Sequence, residues 1–471
     1  MLLSTIWQCS HRFMVFLQNK TARRVKGSRT DSEGRLKEFF ARIGRAVMNR
    51  PRARNFCVYV AGLLSSLDRK TCESVAVAAT TDTAEPVVRT DGDQQVALGD
   101  VKRCHQRILH SIGRANWNDT AVRDEAVRFA LGSLPDDESV EQLIVDDTGF
   151  IKKGAHSVGV KRQYTGSAGK KTNCQVGVSV VACTATSQFP VDFSLYLPHE
   201  WFTSEARVRA RIPESVEFKT KPELAAEMID RILDTGLLPV CRVSADSDYG
   251  RSTEFRKALL SHGCPLAVGV RGDASAWSVD ARGSRRGPAT SLEAIAERLK
   301  YRRVIWRNGT KGKMSGLFGA RRVVMKNGFD PGEQADPLWL VAEKAGEELK
   351  YYLVSGGPDA NLKELIAVLK QRFRTERSYQ DAKNEVGLAD YQGRSFVGWH
   401  HHVTAAIAAC AFLFSEQRHV PKTPNTSARR EAVRTSTRLL RHFPESFSTL
   451  RRALATVLRF ALPGAPCVNF A

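Results

Sequence analysis

Between Gln142 and Val270 the chain reads as three strands, then a helix, a strand, a helix and a strand. That order admits few folds. Gln142–Val145 is short and strongly apolar and ends in Asp146-Asp147-Thr148-Gly149. Cys174–Ala185 (CQVGVSVVACTA) is the second strand and Val191–Leu197 the third. Pro222–Leu237 has helical spacing. Val240–Ala245 is a fourth strand ending in Asp246-Ser247-Asp248-Tyr249-Gly250, Ser252–Ser261 a helix, and Pro265–Val270 a fifth strand. Three consecutive strands followed by alternating helices and strands predict an α/β fold, a mixed sheet with helices on its faces. Strand ends present side chains to a cleft, so the two acidic clusters are the first candidates for chemistry. The plain alternative is that Asp at a strand end serves a turn or a cap.

A third carboxylate comes from Asn361–Lys383, NLKELIAVLKQRFRTERSYQDAK. Leu362, Leu365, Ile366, Leu369 and Phe373 recur at steps of three and four, one apolar helical face. Continued, the stripe reaches Glu376, Gln380 and Lys383. A carboxylate on a buried face is costly unless a cation pairs with it. Arg372, one turn before, and Lys383, two turns after, can cluster with it. The plain alternative is a stripe that meets solvent. Asp146/Asp147, Asp246/Asp248 and Glu376 at one sheet edge would suit magnesium, which prefers oxygen ligands. Two such ions can activate a nucleophile and stabilise the leaving oxygen of a phosphodiester.

The chain divides into five regions. Residues 1–137 are basic and helical, with RLKEFFARIGRAVM, FCVYVAGLLSSL, CHQRILHSIGRANW, and Asn118-Asp119-Thr120 as a cap before AVRDEAVRFALGSL. A Thr/Asp-rich loop interrupts them within Thr71–Asp100. Residues 138–270 form the first part of the core. Residues 271–357 start with a polar break, then give a short helix at Leu292–Leu299 and strands at Arg303–Arg307, Ala320–Lys326, Leu338–Glu343 and Lys350–Val354: a β-rich insertion. Its NGTKGK stretch (308–313) is a basic turn. Residues 358–415 carry the Glu376 helix and a buried helix in GRSFVGWHHHVTAAIAACAFLF. Residues 416–471 are a basic tail with short helices.

Charge points to the partner. The formal net charge is +21 over 471 residues. Met1–Arg54 holds thirteen Lys/Arg against three Asp/Glu, and Arg418–Arg459 ten against two. Basic blocks at both ends fit a polyanion, with nucleic acid ahead of an anionic membrane surface. The ten cysteines show no CxxC pairing and several sit in apolar runs. They read as core residues in a reducing compartment. No run reaches the roughly 18 unbroken apolar residues of a membrane helix. The first twenty residues are interrupted by His11 and Arg12 and are not read as a signal peptide.

Several stretches carry a resemblance: HQRILHSIGRANWNDTAVRDE, LIVDDTGFIKKGAHSVGVKRQYTGSAGKKTNCQVGVSV, LYLPHEW, VSADSDYG and RFRTERSYQDAKNEVGLADYQGRSFVGWHHH. They span most of residues 105–402. The chain resembles bacterial insertion-sequence transposases of the DDE superfamily, whose catalytic domain is RNase H-like. The cut-and-paste branch has the signature Tyr, two residues, Arg, three residues, Glu, six residues, Lys. Arg372, Glu376 and Lys383 fit that spacing; Leu369 stands where Tyr is expected. The resemblance implies Asp147 (directly before Thr), Asp246 and Glu376 as catalytic and metal-holding residues. It implies two Mg²⁺ ions, with Mn²⁺ as a substitute. Asp146 and Asp248 read as supporting or capping residues, with Asp248 the rival metal ligand. The implied partners are double-stranded DNA, as transposon ends and target, and a second copy of the chain. The implied activity is cleavage at terminal inverted repeats followed by attack of the freed 3′-hydroxyl, through a hairpin in this branch. A bacterial cytoplasm, at the nucleoid, is the implied setting.

Arg372 and Lys383 are expected to hold DNA backbone beside the cut; the plain alternative is a salt bridge to Glu376. Lys152, Lys153, Lys161, Arg162, Lys170 and Lys171 are expected to form a phosphate track. Trp306 and Trp339 are expected in the core, with base stacking as the alternative. His400-His401-His402 lack metal-binding spacing, and His402 is read as packed or hydrogen-bonded. Two other functions fit the pattern: a catalytically inactive DNA-binding descendant, and an RNase H-like nuclease acting on other DNA structures.

Overall fold

The computed structural model describes residues 32–80, 93–280, 282–309, 312–326, 336–420 and 445–461. Their centre is a twelve-stranded mixed sheet. Strand β1 (Gln142–Ile151) runs antiparallel to β3 (Lys170–Cys183) and parallel to β5 (Arg242–Ala245), which runs parallel to β6 (Leu266–Val270). β2 (Lys161–Thr165) and β4 (Gln188–Tyr196) share the outer edge of β3. Helices α6 (Ser204–Ala210) and α7 (Lys221–Asp234) follow β4, and the short α8 (Ser247–Gly250) and α9 (Thr253–Ser261) join β5 to β6. This is the RNase H-like mixed α/β architecture expected. Helix α7 starts where the sequence says it should. Thr220 and Glu223 form a reciprocal capping box and Pro222 lies in the first turn.

Four strands differ from the sequence reading, and β2 is one it did not contain. β1 does not end at the acidic pair but runs through it to Ile151, pairing Asp146 with Ser179 and Asp147 with Val178. The polar stretch after residue 271 holds two strands, β7 (Ser275–Val279) and β8 (Arg285–Ser291). β8 lies at the end of the sheet order and is exposed to half-buried, so it carries no apolar alternation to read. Helix α10 (Leu292–Glu297) leads into β9 (Arg302–Gly309), β10 (Gly312–Met325), β11 (Leu338–Ala345) and β12 (Glu348–Val354). β12 pairs with β6, so the β-rich insertion continues the core sheet.

The N-terminal helices are α1 (32–46), α2 (Arg50–Leu64), α3 (Cys72–Thr80), α4 (Asp93–Gly113) and α5 (Asp119–Leu131). Asn49 caps α2 and Asn118 caps α5 through their side chains. Helices α2, α4 and α5 pack against α13 (Phe396–His419). Helix α13 is apolar enough to cross a membrane, but its apolar stretch is mostly buried inside the protein, as a core helix is. His402 settles there as a neutral ring. Its Nε2–H donates to the Leu388 carbonyl at 3.1 Å, its Nδ1 accepts from Tyr59 at 2.9 Å, and burial pushes its pKa down to about 4. Helix α14 (Phe447–Ala461) packs on α12 and α13. The eight cysteines among the described residues are all free; Cys9, Cys467 and most of the basic terminal blocks lie outside them.

Candidate active site

The predicted helix 361–383 is broken. Helix α11 (Leu362–Leu369) ends in a 3₁₀ turn, Lys370–Arg372, and α12 (Phe373–Val386) starts on a new phase. Leu365, Ile366 and Leu369 are buried against Phe318, Val341 and Val354 of the insertion. Phe373 leaves that stripe: it is exposed, and the Arg307 guanidinium lies 4.1 Å from its ring centroid. Helix α12 instead buries Thr375, Ser378, Tyr379, Ala382 and Val386. Glu376 therefore lies on the exposed side, with no ion pair among the described residues. Lys370 makes the break rigid. Its ammonium meets both Glu343 oxygens at 2.6 and 2.7 Å and faces the rings of Trp306 and Phe318. Trp306 packs edge-on to Phe318, and Trp339 donates to the Gly357 carbonyl, so both tryptophans serve the packing of the insertion.

Adjacent residues of a strand face opposite sides of a sheet, and this separates Asp146 from Asp147. Ser179, paired with Asp146, bonds to Tyr379 of α12 at 2.6 Å. Lys383 of α12 donates to Thr148 Oγ1 at 2.7 Å and to the Gly149 carbonyl at 2.9 Å. The Asp146 face is thus the α12 face. Asp147 turns the other way, toward α7, where its Oδ2 meets Lys221 Nζ at 2.8 Å and Tyr249 OH at 3.3 Å.

Asp146 and Asp246 meet because β1 and β5 are parallel neighbours. Asp246 caps α8, its Oδ1 accepting from the backbone of Asp248 and Tyr249. The Asp248 side chain itself is exposed. The Arg372 guanidinium bridges the two carboxylates, 3.1 Å from Asp146 Oδ2 and 3.6 Å from Asp246 Oδ2. Burial, with Asp246 adding to it, pushes the Asp146 pKa up to about 6 against the pull of Arg372. Glycine is required beneath: a Cβ on Gly250 or Gly269 would collide with backbone where α8 sits on β6.

Arg372 thus pairs with Asp146 and Asp246, not with Glu376. Among the described residues no three His, Cys, Asp or Glu side chains are gathered as a metal cluster. The oxygen-only donors still suit a hard cation, and a guanidinium already neutralises two of them.

Residues 38–313 match the family described as DDE superfamily endonuclease. The chain belongs to that superfamily. The chain is also 25% identical over 292 residues to a probable transposase for insertion sequence element IS701 from Microchaete diplosiphon, covering 61% of this chain and 68% of that protein. The family match includes Asp146, Asp147 and Asp246 and stops short of α12, so Glu376 rests on the sequence spacing.

The expected basic track divides. Lys153, Arg162, Lys170 and Lys171 are exposed. Lys161 pairs with Glu200. Lys152 donates to the Tyr391 carbonyl at 2.6 Å. Lys383 is likewise engaged within the fold, and burial lowers its pKa to about 8. Replacing Lys383 by Met relieves that burial cost but leaves Thr148 and the Gly149 carbonyl without their donor, and the lost bonds are expected to outweigh the relief and lower stability by about 1 kcal/mol in chemical denaturation. A lysine serving only as a DNA contact would leave stability unchanged.

Proposed function

We propose that the protein is an insertion-sequence transposase that binds the ends of its element, cuts them and joins them to target DNA. The observation that carries this is the meeting of Asp146, within β1, and Asp246, just past the end of the adjacent parallel β5, with Arg372 between them and α12 alongside. Asp246 and Glu376 supply two of three carboxylates. The third comes from the adjoining pair, Asp147 by the sequence pattern and Asp146 by the facing of β1. These residues would hold Mg²⁺ or Mn²⁺, which supplies activation of a nucleophile and charge neutralisation at the scissile phosphate. Arg372 counters the carboxylate charge in the free protein and would take up a DNA phosphate beside the cut. Lys383 fixes α12 to β1 and so fixes where Glu376 stands. Exposed Lys153, Arg162, Lys170 and Lys171, with the basic N-terminal region, extend the DNA-binding surface. Two ends cut together need two active sites, hence a homodimer in the synaptic complex.

The test is cleavage of supercoiled plasmid carrying the element's own ends, with Mg²⁺ or Mn²⁺. Cleavage by the native chain, reduced about a thousandfold in Asp246→Ala and Glu376→Ala, is expected, because several kcal/mol of metal-supplied stabilisation is lost. Binding of the ends without cleavage by the native chain would identify an inactive descendant. Cutting unrelated DNA equally well would identify a free nuclease. Cleavage that survives Glu376→Ala removes α12 from the active site.

A further inference from the structure

A cavity of about 420 Å³ lies behind the turn that carries Asp246, lined in part by Arg251, Thr253, Arg256, Arg271, Asp273 and Ser275. Asp246 caps one end of α8, and Arg251 leaves the other. β5 pairs with β6 as far as Ala245 and Val268, so Arg271 stands three residues beyond the strand position that adjoins the catalytic end.

The charge in this cavity is out of balance. Arg256 is 8% exposed and donates to the Gly250 carbonyl and to Thr253 Oγ1 at 3.2 Å. Among the described residues it has no carboxylate partner, and burial alone lowers its pKa. A buried guanidinium without a counter-anion is costly. Arg251 is exposed. Arg271 meets Asp273 at 3.1 Å, the one acid of the lining, in an exposed pair of little net worth. Three guanidiniums face one carboxylate.

We propose that this cavity seats a backbone phosphate of the DNA strand bound at Asp246, with Arg251 and Arg271 contacting its oxygens and Arg256 supplying the fixed field behind them. The proposal rests on the DNA-cutting reading above. A guanidinium offers two parallel donors to phosphate, and the space admits the phosphate with its flanking sugars. The contact lies outside the scissile position, so it contributes affinity and strand direction and takes no part in the chemistry.

Binding of an element-end duplex would be titrated against salt for the native full-length chain and for Arg251→Ala/Arg271→Ala. Each phosphate contact contributes about one unit to the slope of log K against log salt. The double variant is expected to show a slope shallower by about one unit. One methylphosphonate position in the duplex is expected to weaken the native chain and not the variant. Both arginines are exposed, so thermal melting should be unchanged and exclude misfolding. An unchanged slope with the same methylphosphonate profile overturns the phosphate seat while leaving the transposase reading intact. A native chain that binds no DNA overturns both.

Discussion

Asp146→Asn is expected to abolish strand cleavage and, at the same time, to leave the metal-free protein more stable at pH 7. The Asp146 carboxylate is buried beside Asp246, and its pKa is pushed from 3.8 to about 6. A folded-state pKa above the unfolded value means the folded chain binds more protons between those values. Stability from this group is present in full below about pH 4 and is lost as pH rises through about 6. Ionised at pH 7, the group costs on the order of 2–3 kcal/mol. Removing the charge recovers part of that, reduced by the loss of the Arg372 contact, so a gain of about 1–2 kcal/mol is expected in urea unfolding. Asp147→Asn should behave in the opposite sense. It loses the Lys221 pair at 2.8 Å, so stability falls. The cleavage assay separates the two candidates for the first carboxylate. If Asp147→Asn is dead and Asp146→Asn cuts, the sequence pattern is right and the sheet face wrong. If both cut at native rates, neither carboxylate belongs to the site.

The reach of the sequence shows in these same residues. The five core strands and their order were legible because each is an apolar run bounded by turn residues. Helix α7 was legible from the helical spacing of Pro222–Leu237, though its cap at Thr220 was not read. The acidic pairs were found for the same reason, as charge interrupting apolar strands. What the sequence did not disclose was which of two adjacent aspartates faces α12. Alternation assigns them to opposite faces but cannot say which face is which until the helices are placed. The break at Lys370–Arg372 was also hidden. The apolar stripe through Leu369 and Phe373 keeps helical spacing across it, and the contacts that Lys370 makes at the break, to Glu343 and two aromatic rings, come from strands of the insertion. β2 and β8 were missed because KRQYT and RRGPATS are polar edge segments.

Asp192→Ala is expected to destabilise the fold by about 3–5 kcal/mol, the largest stability effect of any surface-distant substitution proposed. Asp192 is 2% exposed on β4. Its Oδ1 lies 3.0 Å from Arg123 Nε of α5, and its Oδ2 lies 2.9 Å from the Arg231 guanidinium of α7. Arg231 also bonds to both oxygens of Asp124 at 2.8 and 2.9 Å. Two helices from different regions of the chain therefore converge on one buried carboxylate. Without it Arg123, 6% exposed, keeps as its carboxylate contact only Asp119 at 3.3 Å, with the hydroxyls of Thr120 and Thr404 at 3.2 and 3.4 Å. The penalty is that of a buried, half-compensated charge, not the net worth of the pair. Replacing Asp192, Arg123, Arg231 and Asp124 together by apolar residues of similar size, so that no buried charge is left unpaired, should accordingly recover most of the loss. The midpoint of urea unfolding distinguishes these cases. A quadruple variant as unstable as Asp192→Ala would show that the ions matter for packing rather than for charge. Helix α7 also carries Lys221 at its first turn, against Asp147. Loosening α7 thus reaches the active site, and Asp192→Ala protein that remains folded at low temperature is expected to cut DNA several-fold more slowly than the native chain, far short of the loss from Asp246→Ala.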